Sequence, residues 1–125
     1  MKDCIFCKIL NDEIPSKRLY EDDKVIVIMD VNPVVDGHCL IIPKEHIEDY
    51  ISMPNELLGH IFDVARDVGK KIMKKLNSKG LTLTINYGES QVVKHFHLHL
   101  LPDYNIKEKT MNIEEVFELL KEDSK

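Results

Sequence analysis

Apolar positions recur along this chain with two periods, two residues in some stretches and three to four in others. Arg18-Leu19-Tyr20-Glu21 and Lys24-Val25-Ile26-Val27-Ile28-Met29 are short and apolar, the second rich in β-branched residues, and Asp22-Asp23 between them is turn chemistry. The pair predicts a β-hairpin. Asn32-Pro33 and Asp36-Gly37 bracket a loop, residues 38–42 predict a third strand, and Pro43 ends it. His46 falls where the chain is expected to turn into a short helix. From Pro54 and Asn55 the period lengthens: Leu57, Leu58, Ile61, Ala65, Val68, Ile72 and Leu76 recur at helical steps, with Asp63, Arg66, Asp67, Lys70, Lys71, Lys74 and Lys75 opposite them. This predicts one long amphipathic helix, with lysines suited to its C-terminal dipole and Gly80 placed for the turn beyond. Residues 81–87 and 95–101 predict two more strands. Ile113, Val116, Phe117 and Leu120 predict a helix in a tail spanning residues 112–125. The order predicts a single α+β domain over residues 1–125, an antiparallel sheet of about five strands with one long helix and a C-terminal helix.

Composition narrows the function classes. The 125-residue chain is long enough to bury a core, and 43% hydrophobic with 31% charged residues is ordinary for a globular domain. A net charge of -5 argues against a nucleic-acid polymer as partner, because such binding needs a broad cationic face. A small phosphorylated ligand stays open, since a pocket can be cationic on an acidic protein. No stretch approaches the roughly 20 apolar residues of a membrane span, and the N-terminus lacks a signal-peptide pattern. The expected location is the cytoplasm.

Candidate chemistry is concentrated in His95-Phe96-His97-Leu98-His99-Leu100-Leu101. In a strand, alternation puts three imidazoles on one face and Phe96, Leu98 and Leu100 on the other. Such a row can bind a metal, grip a phosphate, or supply a nucleophile and an acid. All three need not serve one ion, because the outer pair is about 13 Å apart along an extended chain. Cys4 and Cys7 form a CxxC pair that reads as half of a zinc site, completed by two histidines. Cys39, in an apolar run, reads as a small buried hydrophobe. His60 reads as a boundary histidine, and Met53 and Met73 as packing residues.

The histidine row resembles the signature of the histidine triad superfamily: His, apolar, His, apolar, His, then two apolar residues. The resemblance extends over Cys4-Ile5-Phe6-Cys7-Lys8-Ile9, Glu13-Ile14-Pro15, Glu21-Asp22-Asp23, Asp30-Val31-Asn32-Pro33, the run from Gly37 to His46, Asn86-Tyr87-Gly88, and Gln91. The branch it most resembles is the Hint-like, nucleotide-binding one. That resemblance implies a HIT-like fold and hydrolysis or transfer at the α-phosphate of a purine nucleotide, such as an AMP or GMP derivative. The reaction would pass through a covalent nucleotidyl-histidine on His97, with His99 assisting at the phosphate and His38 orienting the nucleophile. Cys4, Cys7, His46 and His95 are the implied ligands of a structural zinc, with no organic cofactor. Asp30 is implied at the ribose, Asn86 and Gln91 on the phosphate side, and Phe6, Ile9 and Ile28 around the base. The resemblance also implies a homodimer.

Two segments depart from the family pattern. Ser90 stands where relatives carry Gly, in a loop about two residues shorter, and Val92 stands where they often carry Ser or Thr. The C-terminal helix replaces a strand-like tail found in animal relatives. The leading expectation is a nucleotide phosphoramidase or nucleotidyl hydrolase. The alternatives are a dinucleoside polyphosphate hydrolase, a nucleotide-binding regulatory module with incidental turnover, and a purely structural zinc protein.

Overall fold

A computed structural model describes residues 4–121. The elements in chain order are α1 (Ile5–Leu10), β1 (Arg18–Glu21), β2 (Val25–Met29), β3 (Cys39–Pro43), α2 (Asn55–Leu76), β4 (Leu81–Thr84), β5 (Leu98–Pro102) and α3 (Ile113–Leu120). The strands form one antiparallel sheet in the order β1-β2-β3-β5-β4. The α+β architecture expected from the two periods is therefore present. None of the described helices is long and apolar enough to cross a membrane.

Both faces of the central strands are covered. Val25, Val27, Met29, Cys39 and Ile41 pack with Phe96, Leu98 and Leu100 beneath Ile61, Val64, Ala65, Val68 and Ile72 of α2, and Val116 and Leu120 of α3 extend that layer. On the opposite face, Ile26, Ile28, Leu40 and Ile42 meet Phe6 and Ile9 of α1. Two-sided burial explains why β2 and β3 read as continuous apolar runs instead of alternating ones.

Several boundaries differ from the sequence expectation, each for a hydrogen-bonding reason. The short helix expected after His46 is absent. Ile47 O accepts from Phe96 N at 2.7 Å and Glu48 O from Gln91 Nε2 at 2.6 Å, so acceptors a helix would use are committed elsewhere. For the same reason the last sheet strand begins at Leu98 rather than at residue 95. β4 ends at Thr84, whose ladder partner is His99. The turn after α2 is made by Asn77, left-handed at φ 54°, with Ser78 N donating to Met73 O at 2.8 Å; Gly80 lies beyond it. The tail helix α3 is closed by a capping box between Asn112 and Glu115. The tail's last residues, 122–125, lie outside the described residues.

The β1–β2 turn is tied to α2 by a pair that the sequence did not announce. Asp22 Oδ1 accepts from Lys24 N and Val25 N, and its Oδ2 is bonded by Tyr20 Oη at 2.7 Å and faces His60 Nε2 at 2.8 Å. Burial works against this carboxylate, yet the bonds from Tyr20, the two amides and His60 hold its pKa down at about 2. A carboxyl depressed in the fold contributes stability that is present above its unfolded pKa and lost as pH falls through the folded one. Asp22→Asn is therefore expected to lower Tm at neutral pH. The gap to wild type should close as pH approaches 2, which thermal melts across that range check.

Candidate active site and metal centre

The row of histidines keeps its alternation although only His99 lies in a ladder. Phe96, Leu98 and Leu100 are fully buried on the α2 side, and the imidazoles sit on the α1 side, where the Phe6 ring is 5.9 Å from His95 and 4.9 Å from His97. His97 lies in the irregular stretch just before β5, and His95 at a bend preceding it.

His95 is turned toward the cysteines. Its Nδ1 lies 3.3 Å from Cys4 Sγ and 3.6 Å from Cys7 Sγ, while His46 Nδ1 lies 3.1 Å from Cys7 Sγ. All four donor atoms fall within 4.8 Å of one another. Tetrahedral zinc with Zn–S of about 2.3 Å and Zn–N of about 2.0–2.1 Å has sulfur–nitrogen edges of about 3.6 Å, so the spacing fits the metal. The tautomer fits too. His95 Nε2 donates to Pro43 O at 2.9 Å, which leaves the Nδ1 lone pair aimed at the cluster. Burial holds the His95 pKa at about 4, so the ring is neutral and able to ligate. Cys4 caps α1, its Sγ accepting from Cys7 N at 3.3 Å. Arg18 anchors the other end of that helix by donating to Ile9 O at 2.8 Å and Asp12 Oδ1 at 3.0 Å.

His97 makes a different commitment. Its Nδ1–H donates to His95 O at 2.8 Å, so Nε2 carries the free lone pair. Burial lowers its pKa, against the opposing pull of the His95 carbonyl and Asp30, and keeps the imidazole neutral. His99 lies beside it with ring centroids 5.1 Å apart, its own pKa held at about 4 by burial and by the neighbouring His97 and His38.

His38 bonds to His99 rather than directly to His97. Val34 N donates to His38 Nδ1 at 3.1 Å, so the neutral ring carries its hydrogen on Nε2. That Nε2–H faces His99 Nδ1 at 2.9 Å and Asp30 Oδ2 at 3.3 Å. His99 Nδ1 is thereby an acceptor, and its Nε2 is left as the donor that can face a phosphoryl oxygen. Asp30, His38 and His99 also bring three ligating atoms within 4.8 Å. They do not make a second metal centre, because the Val34 amide occupies the lone pair His38 would need to exchange on binding an ion. The His95 carbonyl holds His97.

The expected nucleotide contacts are distributed unevenly. Asp30 follows β2 half-buried, with Oδ1 accepting from Asn32 N at 2.8 Å and Oδ2 beside His38. Asn86 is exposed between β4 and a 3₁₀ turn over Gly88–Ser90. Gln91 is buried, and its amide donates to Glu48 O and to Val93 O at 3.0 Å, so it pins the loop between β4 and β5. Phe6, Ile9 and Ile28 pack into one apolar cluster. Val92 is 89% exposed. The Val34 amide, the Pro43 carbonyl and Arg18 were not foreseen. The first two are backbone groups without a side-chain signal, and Arg18 answers to a helix too short to show a period.

A five-stranded antiparallel sheet that carries a tautomer-fixed row of histidines beside a Cys₂His₂ cluster defines a class of small α+β proteins with a histidine-lined site. The chain belongs to the HIT family: the HIT domain model matches residues 11–106. It is 43% identical over 104 residues to an uncharacterized HIT-like protein of Methanocaldococcus jannaschii, covering 81% of this chain and 79% of that one. An adenylylsulfatase of Arabidopsis thaliana is 37% identical over 102 residues, covering 80% of this chain and 52% of that one. The crystal structure of a zinc-bound histidine triad family protein from Mycobacterium smegmatis superposes with a TM-score of 0.87 at 31% identity, over 96% of this chain and 91% of that one.

Proposed function

We propose that this protein hydrolyses or transfers the nucleotidyl group of purine nucleotide derivatives, with His97 as the nucleophile. The observation that carries this reading is the His97 tautomer: Nδ1–H is held by the His95 carbonyl, the ring is neutral, and its Nε2 lone pair has no hydrogen-bond partner among the described residues. In the first step Nε2 attacks the α-phosphorus, a P–N bond forms, and the bond to the leaving group breaks with its electron pair departing on that group. His99 Nε2–H donates to a phosphoryl oxygen or to the departing atom as charge develops. Water then attacks phosphorus and gives up a proton to solvent, the P–N electron pair returns to His97, and the nucleotide is released. Asp30 accepts from the ribose hydroxyls, Asn86 and Gln91 stand on the phosphate side, and Phe6, Ile9 and Ile28 meet the base. A base held by apolar packing is selected weakly, so purines are favoured without strict choice between adenine and guanine. The adenylylsulfatase relative supports a nucleotidyl substrate.

Cys4, Cys7, His46 and His95 would hold zinc as a closed, structural site. The ion would supply cross-linking rather than chemistry, fixing α1 against the segment that bears His97. No organic cofactor enters this reaction. The protein is read as cytoplasmic and as a homodimer. The outer edge of β4, unpaired among the described residues and bearing the exposed Leu83, supports the second copy.

Adenosine 5′-phosphoramidate and a diadenosine polyphosphate, offered in parallel, test the reading. Turnover of the phosphoramidate is expected, and faster cleavage of the polyphosphate would assign the dinucleotide alternative. The two hydrogens that Gln91 spends on backbone carbonyls, together with the missing hydroxyl at Val92, favour a regulatory module as the second reading. Binding without turnover would establish that module instead.

A further inference from the structure

Which nitrogen His99 presents to a phosphate is decided one residue further back, at His38. If the Val34 amide moved away, His38 could shift its hydrogen to Nδ1. Two lone pairs would then face each other across the 2.9 Å between His38 Nε2 and His99 Nδ1. The pair could be relieved only by moving the hydrogen of His99 to Nδ1, which would turn an acceptor nitrogen toward a phosphoryl oxygen and repel it. Asp30 Oδ2 also favours the hydrogen on His38 Nε2. Once a ribose draws on that carboxylate, the Val34 amide is the constraint that remains.

That amide sits in the loop between β2 and β3, which is fastened from behind. Gly37 lies at φ +88°, and a Cβ there would stand 2.6 Å from Leu76 Cδ1 and 3.1 Å from Pro102 Cγ, so the loop is wedged against α2 and β5. Asp36 completes the fastening. Its Oδ1 accepts from Thr110 N at 3.2 Å and Met111 N at 3.0 Å, and its Oδ2 accepts from Thr110 N at 3.2 Å and Thr110 Oγ1 at 3.1 Å. Thr110 and Met111 lead into α3, whose Val116 and Leu120 are buried in the core below α2. The C-terminal helix is thus connected through one carboxylate to the loop that fixes the His38–His99 pair.

We propose that Asp36 is a positioning residue for this site: by clasping the segment before α3 it holds the Val34 amide on His38, and so keeps His99 a hydrogen-bond donor toward phosphate. Its effect on turnover rests on the function proposed above, whereas its effect on the His38 tautomer does not. Long-range ¹H–¹⁵N spectra of the histidine rings, recorded for the free protein and with AMP, read the tautomer directly. In wild type, His38 should show an acceptor-type Nδ1 and a donor-type Nε2. In Asp36→Ala the two resonances should move toward one another, most strongly with AMP bound, while those of His95 and His97 stay in place. The same variant should lose about ten- to a hundredfold in kcat with KM within about threefold, as expected for a group misplaced at the reacting centre. Asp36→Asn keeps an oxygen for the Thr110 and Met111 amides and should recover most of both signals. Unchanged His38 resonances in Asp36→Ala, or a lowered Tm with tautomer and kcat intact, would overturn the proposal. A wild-type protein that turns over no substrate would remove the function proposed above and leave the ring spectra to decide the role of Asp36.

Discussion

His97→Ala is expected to abolish nucleotidyl turnover, on the order of 10⁴-fold or more, while nucleotide affinity stays within a few-fold of wild type. Removing a nucleophile removes the whole two-step route, so the loss should resemble that of other enzymes stripped of the attacking group. Structure limits the collateral damage. His97 is only half-buried, its one hydrogen bond among the described residues is to a backbone carbonyl, and the layer below α2 includes its neighbours Phe96 and Leu98. A melt within a few degrees of wild type should accompany the lost activity. His99→Asn should retain more activity, because its hydrogen-bond donation lowers a barrier that His97 alone can still cross. Comparable rates for His97→Ala and wild type in a quenched phosphoramidate assay would remove His97 from the chemistry.

Cys4→Ser should release the metal and much of the order at the N-terminal end. The zinc reading predicts one equivalent of zinc per chain in wild type and close to none in the variant, measured by elemental analysis after dialysis. A hydroxyl is a poor substitute for a thiolate ligand, and one lost ligand opens a closed tetrahedral site. The consequence for stability should be large. α1 has six residues, too few to persist by itself, and its hold on the sheet includes Phe6, Ile9, the Arg18 bond and the Cys4, Cys7, His46 and His95 cluster. A loss of about 3–5 kcal/mol is expected, below the full binding energy of a structural zinc because the α2 side of the core does not depend on it. Turnover should fall as well, since Phe6 contacts the His97 ring. Zinc content unchanged in Cys4→Ser would refute the ligand set.

The sheet and its two longer helices were legible because each buries an apolar face at its own period. Even the continuous run of β2 and β3 carried information, being the pattern of strands covered on both sides. The site was legible as residue types: Cys4, Cys7, His46 and His95 do converge, and His38, His97 and His99 do stand together with Asp30. What the sequence withheld was the wiring. That His38 meets His99 while the His95 carbonyl holds His97 was not readable, because orientation depends on which backbone group each ring meets, and neither the Val34 amide nor the His95 carbonyl has a side-chain signature. The short helix expected after His46 failed for a related reason, its carbonyls being taken by Phe96 and Gln91 from a distant part of the chain. α1 was hidden by its brevity, and with it the cap that Cys4 provides.

The stereochemical course at phosphorus tests the central claim most directly. Attack by His97 followed by attack by water inverts phosphorus twice, so a substrate chiral at the α-phosphorus, hydrolysed in labelled water, should give a nucleotide of retained configuration. Inverted configuration would mean that water attacks in a single displacement, and would contradict a covalent nucleotidyl-His97 intermediate.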